Sequence, residues 1–344
     1  LAVSALVISA AGLAPAQAAS ERLQWDWHAP EQGQWNHCPA TQWKLVDEKQ
    51  FFLQNPPNSF TGLYRSQGMA TDGHRWFFSW QYGLEIADRK FNSLQRNSSF
   101  QPPANIVPGI PANLLAQGLD HIGDIDYSEG VIYASLDTTR GYTNGHVALF
   151  NARDLSYTGI VYELTGAPSN PKKDVASWVA VDAKHQRGYG KEWQSGNTIN
   201  VYNLQDWKFI GTITMDMALE NIQGAKVHGD WLYMSSNNTT QSVYRANLHN
   251  GHVEELFRLP TPAGDREVEG IALQEGRDGE LDIYVEMVVD PDRSGQTLTN
   301  TNLHVSLFHY REQERLLAGF PFPKFPFPGY PFPARSLFDF CENR

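Results

Sequence analysis

Short runs of alternating apolar and polar residues recur along the chain, each followed by a tight turn and a second apolar run. The clearest case is 119–137 (LDHIGDIDYSEGVIYASLD), where Glu129 and Gly130 separate the two runs. Alternation, a two-residue turn and then β-branched and aromatic residues predict a β-hairpin. Five such units begin at the anchor residues Gly68, Gly123, Trp178, Gly224 and Gly270. Successive anchors are therefore 55 or 46 residues apart.

A repeat of this length is typical of a β-propeller blade. Third-strand candidates are 146–150, 198–202 and 242–246, and fourth-strand candidates are 157–162, 208–213 and 253–257. The pattern predicts an all-β chain that forms a single five-bladed β-propeller of four-stranded antiparallel blades over residues 41–318; a β-sandwich is the alternative. Residues 41–54 are expected to complete the closing blade, paired with either 304–308 or 315–318.

The charge composition of the chain argues against one class of partner. The formal net charge is −11, and the chain has no run of Lys or Arg, so nucleic acid is not an expected partner. Aromatic residues make up 12% of the chain, which suits blades packed face to face.

The first 18 residues (LAVSALVISAAGLAPAQA) are apolar and end in a small-residue motif. They are typical of a secretory signal peptide, which predicts a secreted or periplasmic protein. A membrane anchor is the competing interpretation, but the apolar run is short for a bilayer, and no membrane span is expected in the mature chain. Residues 19–40 then form an N-terminal segment before the propeller.

Two cysteines, Cys38 and Cys341, lie near opposite ends of the chain. In an exported protein an even count predicts a disulfide bond, and in a propeller the two ends meet in the closing blade. A bridge closing about 300 residues would stabilise the fold by up to roughly 5 kcal/mol; two free buried thiols are the alternative. The segment 319–344 contains FPFPKFPFPGYPFP, which predicts an extended polyproline strap or a recognition strip.

The residues next to each anchor are expected to surround the propeller axis, because the innermost strand of every blade starts there. They offer oxygen and nitrogen ligands: Gln67, His121, Asp124, Ser177, Asn221, Gln223, Glu267 and Glu269. Carboxylate and amide oxygens suit Ca²⁺, and we expect a Ca²⁺ site built from Asp124, Asn221 and Glu267. The alternative is that these groups satisfy strand ends and channel water.

A ligand-binding face is expected around the same axis. Its candidate residues are Gln67, His121, Trp193, Gln223 and Glu269. The tryptophan, with nearby amides and acids, would suit a small molecule, a glycan or a protein ligand. A non-catalytic binding propeller is the function that this pattern favours, because no nucleophile with an evident partner can be named.

A secreted hydrolase is the alternative function. A phosphoesterase or a glycosidase needs acidic or basic side chains that face one another across the axis. The candidate catalytic residues are His121, Asp124 and Glu269. The sequence has no nucleophile elbow, phosphate loop, dinucleotide fingerprint or zinc-protease motif.

Two motifs resemble known propellers. Gly123–Tyr127 (GDIDY) and Val268–Leu273 (VEGIAL) are similar to inner-strand openings of NHL-like, SdiA-regulated-like and phytase-esterase-like propellers. The two terminal cysteines resemble the layout of olfactomedin-type five-bladed domains. These resemblances imply a small secreted propeller with Ca²⁺ or carboxylates in its channel, and they assign no catalytic residue.

Overall fold

The computed structural model describes residues 42–53, 60–101, 105–141, 143–165, 176–276, 279–293 and 300–313. Five four-stranded antiparallel sheets make up almost all of the secondary structure. They are arranged as a five-bladed β-propeller, which confirms the predicted fold class. No helix within the described ranges has the length and apolar character needed to cross a bilayer.

The blades follow one another along the chain, and each is written here from its innermost to its outermost strand. Blade 1 contains β2 (Gly68–Thr71), β3 (Trp76–Trp80), β4 (Gly83–Ala87) and β5 (Ser93–Arg96). Blade 2 contains β8 (His121–Ser128), β9 (Val131–Thr138), β10 (Thr143–Asn151) and β11 (Tyr157–Glu163). Blade 3 contains β12 (Ala180–Asp182), β13 (Arg187–Gly190), β14 (Gly196–Asn203) and β15 (Phe209–Leu219). Blade 4 contains β16 (Ile222–His228), β17 (Trp231–Ser236), β18 (Ser242–Asn247) and β19 (Val253–Arg258).

Blade 5 closes the ring with strands from both ends of the propeller. It contains β20 (Asp265–Glu275), β21 (Leu281–Asp290), β22 (His304–Gln313) and, outermost, β1 (Gln42–Phe52). Of the two partners that the sequence left open for the first strand, the structure selects the one that starts at His304. The other candidate, 315–318, lies outside the described residues, as do both cysteines, the signal-like segment and the Phe/Pro-rich strap.

Between blades 1 and 2 the chain makes an excursion that the sequence analysis did not predict. It consists of a small hairpin, β6 (Ser99–Gln101) and β7 (Asn105–Val107), and a one-turn helix, α1 (Ala112–Leu115). A single 3₁₀ turn (Leu63–Arg65) precedes blade 1.

The hydrophobic core is divided into layers between neighbouring blades. In β3 all five residues are buried, and they alternate between two layers. Phe77 packs with blade 2, whereas Trp76 and Phe78 pack with blade 5. Because successive side chains of a strand point to opposite faces, a strand buried between two blades must be apolar on both faces. This explains why β3 has no exposed polar face and why the alternation in its sequence is imperfect.

The inner strands come very close to one another at the axis, and the anchor glycines make this possible. A Cβ atom on Gly68 would lie 2.4 Å from the Cα of Asp124, and one on Gly270 would lie 2.5 Å from the Cα of Gly68. A Cβ atom on Gly123 would lie 2.3 Å from the carbonyl oxygen of Ser177. Only glycine permits such approaches, so the recurring anchors mark the narrowest level of the ring.

Candidate functional site

Three inner strands carry a β-bulge at the level of the anchor glycines. In β8 the register shifts across Gly123 and Asp124, in β16 across Gln223, and in β20 across Glu269 and Gly270. A bulge places two residues opposite one and re-aims the side chain that it displaces. The same feature, a β-bulge, therefore orients the side chains of three predicted site residues, Asp124, Gln223 and Glu269.

Asp124 ties three blades together at the axis. It is fully buried, and its carboxylate accepts hydrogen bonds from the N–H of Met69 (3.0 Å), the N–H of Ala225 (3.1 Å) and the ammonium of Lys226 (2.6 Å). Burial raises the pKa of Asp124 to about 7, and the Lys226 charge opposes that rise. These contacts link blades 1, 2 and 4, so Asp124 is a structural residue of the ring.

His121 lies between two acceptor oxygens at the end of the axis where the inner strands begin. Its Nδ1 is 2.7 Å from Oδ1 of Asp137, and its Nε2 is 2.8 Å from Oε1 of Gln67. The amide nitrogen of Gln67 donates to the carbonyl of Ser66 at 2.9 Å, which fixes that orientation of the amide. Two acceptors facing both ring nitrogens match an imidazolium, which donates from each nitrogen. Asp120, the acid next to His121 in sequence, instead accepts hydrogen bonds from Thr139.

A second hydrogen-bonded chain joins blades 3, 4 and 5 at the same end. The Trp193 indole N–H donates to Oε1 of Gln223 at 3.0 Å, and the Gln223 amide donates to Oε1 of Glu267 at 3.1 Å. Burial raises the pKa of Glu267 to about 7, while the His121 charge and the Gln223 hydrogen bond lower it. His121 is therefore near enough for its charge to act on Glu267. We call the set Gln67, His121, Trp193, Gln223 and Glu267 the axial mouth.

Two further acids of blade 5 lie behind Glu267. Exposure falls from 9% at Glu267 to 4% at Glu269 and 0% at Glu286. Burial raises the pKa of Glu269 well above its ordinary value, and the charges of Glu267, Glu286 and Asp124 raise it further. Burial likewise raises the pKa of Glu286, as does Asp124. Neither carboxylate oxygen of Glu286 has a hydrogen-bond partner among the described residues.

Glu286 occupies a place where blades 1, 2 and 4 have serine. Ser79, Ser135 and Ser235 lie opposite the anchor level of their inner strands, as Glu286 does in β21. Each serine is buried, and Ser79 and Ser235 donate to carbonyls of the next blade, those of Gly123 and Glu269. Ser135 donates at 2.8 Å to the carbonyl of Asp124 in its own blade and lies 3.4 Å from the carbonyl of Ser177 in the next. Blade 5 therefore replaces a neutral inter-blade hydrogen bond with a buried acid.

The predicted site residues lie in different surroundings. Gln67 and His121 form one hydrogen-bonded pair at the end of the axis where the inner strands begin, and Trp193 and Gln223 form another; that they bind a ligand stays a prediction. Asn221 is in the loop before β16, where its amide approaches the carbonyl of Asn237 at 3.5 Å.

Sequence reasoning missed the basic partners. Lys226 was not singled out, although a lysine two residues after an anchor glycine, at an inward position of β16, is a signal for a buried ion pair. The same holds for Arg65, whose guanidinium binds the buried Glu85 at 2.5 Å. The contact of Asp137 with His121 was missed as well, because nothing in the sequence indicates that the two residues lie side by side.

Two of the residues proposed for Ca²⁺, Asp124 and Glu267, already have protein partners. Lys226 already holds Asp124, and Glu267 is bonded to Gln223. Within the described residues no group of three or more His, Cys, Asp or Glu side chains is spaced to hold a metal ion. Ca²⁺ binding by Asp124, Asn221 and Glu267 therefore stays a prediction that only a titration tests.

The chain matches no protein-family model, and it matches no curated protein at significant similarity. None of the propeller families that its inner-strand motifs resemble is therefore supported by a relative. What the structure establishes is a five-bladed β-propeller with a polar mouth at one end of its axis.

Proposed function

We propose that this chain is a binding propeller whose axial mouth takes a small, positively charged ligand, such as an organic amine. The observation that carries the proposal is the excess of buried acid in blade 5. Neither carboxylate oxygen of Glu286 and not Oε2 of Glu267 has a hydrogen-bond partner among the described residues, and the buried bases Lys226 and Arg65 are each bound to another acid.

The burial of these acids favours a cation over a neutral ligand. A carboxyl group in a low-dielectric site resists ionisation, and a positive charge that enters the site offsets that cost. The unpartnered oxygens of Glu286 and the free Oε2 of Glu267 offer acceptors that an ammonium group, with three donors, could use. A partly exposed aromatic ring, Trp193, adds a surface for cation–π contact.

Calorimetric titration tests the proposal with methylamine, ethanolamine, putrescine and calcium chloride as probes. Because Glu267 has a pKa of about 7, the ionised fraction rises about tenfold between pH 6 and pH 8. We therefore expect amine affinity to rise about tenfold over that range. Glu267→Gln should weaken binding and abolish the pH dependence, whereas Glu163→Gln, an exposed acid on the outermost strand of blade 2, should change neither.

Two results would contradict the proposal. One is the failure of every amine to bind at pH 8. The other is an affinity that Glu267→Gln leaves unchanged. Binding of calcium alone, lost in Asp124→Asn, would instead favour the Ca²⁺ site of the sequence analysis.

A hydrolase is the second candidate, and the Asp137–His121 pair favours it. A buried aspartate that holds an imidazole is a recurrent general acid–base arrangement, and Glu267 has a pKa near neutrality beside it. Turnover of phosphomonoesters or aryl glycosides would support this candidate if His121→Ala abolished it and Glu163→Gln did not. In that case the amine titration would show no binding.

Export and the Cys38–Cys341 bridge stay predictions, because the residues concerned lie outside the described ranges. Peptide maps of the full chain, with and without reductant, test the bridge. A linked peptide containing both cysteines is expected, and two separately alkylated cysteines would contradict it.

A further inference from the structure

A pocket of about 320 Å³ lies between blades 5 and 1, away from the axial mouth. Its lining includes Thr71 and Glu275, which are the last residues of β2 and β20. The mouth residues Gln67 and Glu267 lie at the starts of the same two strands. The pocket therefore opens at the opposite end of the blades and is a separate site.

Three aromatic rings line the pocket in a fixed arrangement. Trp76 stacks with Phe91, with centroids 5.2 Å apart and planes at 24°, and meets Tyr284 edge-on at 4.7 Å. On its other side Tyr284 stacks with His309 at 4.3 Å. His309 is in turn held by Asp282 at 3.1 Å. Rings fixed by such contacts form a rigid apolar wall.

The backbone at Phe91 is strained, and two contacts hold it in place. Its φ is 66°, in the left-handed region, which costs a non-glycine residue about 1–3 kcal/mol. The N–H of Phe91 donates to the carbonyl of Asp88 at 2.9 Å, and the carbonyl of Phe91 accepts from Arg65 at 2.9 Å. Strain that surrounding contacts enforce is a frequent mark of a functional site. Here the strained backbone places the ring of Phe91, a turn residue, in the wall of the pocket.

The polar residues of the pocket carry both signs of charge. Arg89 and Glu275 are exposed, and Gln274 adds an amide that both donates and accepts hydrogen bonds. The hydroxyl of Thr71 is already bonded to the carbonyl of Arg75 and the N–H of Gly73. Arg89 is oriented by the carbonyl of Gly73 at 3.2 Å and by a contact with His74. An anionic ligand would be repelled by Glu275 and by the net charge of −11, and a cationic ligand would be repelled by Arg89. A neutral ligand rich in hydroxyl groups avoids both repulsions.

We propose that this pocket binds a neutral saccharide ring. The apolar C–H face of a pyranose fits against the aromatic wall, and its hydroxyls, which donate and accept, fit Arg89, Gln274 and Glu275. The volume lies at the lower end of the range of about 300–1,000 Å³ that is usual for ligand sites. That size suits one or two rings better than a long chain.

Saturation-transfer NMR and calorimetry on the full chain test the proposal. The probes are glucose, galactose, mannose, xylose and N-acetylglucosamine, with benzoate as a charged aromatic probe. We expect at least one neutral sugar to bind, and the Kd to rise at least tenfold in both Arg89→Ala and Glu275→Gln. The matched controls are Arg153→Ala and Glu129→Gln, which remove the same groups from exposed positions of blade 2 and should leave the Kd unchanged.

The other outcomes overturn the proposal. They are no binding of any sugar, binding that both pocket variants leave unchanged, or preferential binding of benzoate. Glu267→Gln at the axial mouth separates the two sites, because it should affect amine binding and leave sugar binding intact. A sugar affinity that falls in Glu267→Gln but not in Arg89→Ala would assign the sugar to the mouth instead.

Discussion

Replacing Asp124 with alanine should severely destabilise the propeller. The change removes a fully buried carboxylate that accepts three hydrogen bonds from blades 1 and 4. The ammonium of Lys226, whose side chain is 5% exposed, would be left with one contact, to the carbonyl of Ala225. The backbone N–H groups of Met69 and Ala225 would lose their acceptor as well.

The size of the loss follows from these groups. Breaking a buried ion pair by removing one partner costs about 3–5 kcal/mol, and each buried N–H left without a partner costs about 1–3 kcal/mol. The three effects share one site and do not add fully. We expect the free energy of unfolding to fall by at least about 4 kcal/mol, which is a large part of the typical total of about 5–15 kcal/mol.

Urea unfolding, followed by tryptophan fluorescence, measures this loss. Asp126→Ala is the matched control, because Asp126 is a buried acid of the same strand that accepts backbone hydrogen bonds from Val181 and Tyr127 without a direct ion pair. Its loss should be smaller by about 2 kcal/mol or more, and Lys226→Met should partly rescue Asp124→Ala. A loss below about 1 kcal/mol for Asp124→Ala, or one no larger than that of Asp126→Ala, would refute the reasoning.

Two further predictions concern the axis. Gly270→Ala should destabilise the fold by several kcal/mol in the same urea assay, because the new Cβ would lie 2.5 Å from the Cα of Gly68. Gly211→Ala is the control, because no atom lies within 4 Å of the Cβ that it would add. Equal losses of stability in the two variants would contradict the close approach. Glu267→Gln should stabilise the fold above pH 7 and have little effect near pH 4. The rise of the Glu267 pKa from 4.5 to about 7 means that ionisation of this group destabilises the folded state by about 3 kcal/mol. The loss develops between about pH 4.5 and pH 7 and is constant at higher pH. Unfolding curves at both pH values measure the difference, and an effect that is equal at both would contradict it.

The sequence by itself determined the fold class and the level of the axis. Alternating runs, tight turns and the spacing of the anchors gave five units, since these signals act between residues close together in the chain. Glycines such as Gly68 and Gly270 marked the narrowest level of the ring because no other residue permits the approach. Because Gln67, His121 and Gln223 lie next to the anchors in sequence, their position near the axis could be predicted without any structure.

Only the tertiary structure decided which charges meet and which strand closes the ring. Asp124 binds Lys226, 102 positions away, and His121 binds Asp137 in place of the adjacent Asp120. Only the strand register shows that Glu286 stands where blades 1, 2 and 4 have a buried serine. Such pairings depend on the distance across the axis, which arises from the closing of five sheets into a ring and has no counterpart in the spacing of residues along the chain.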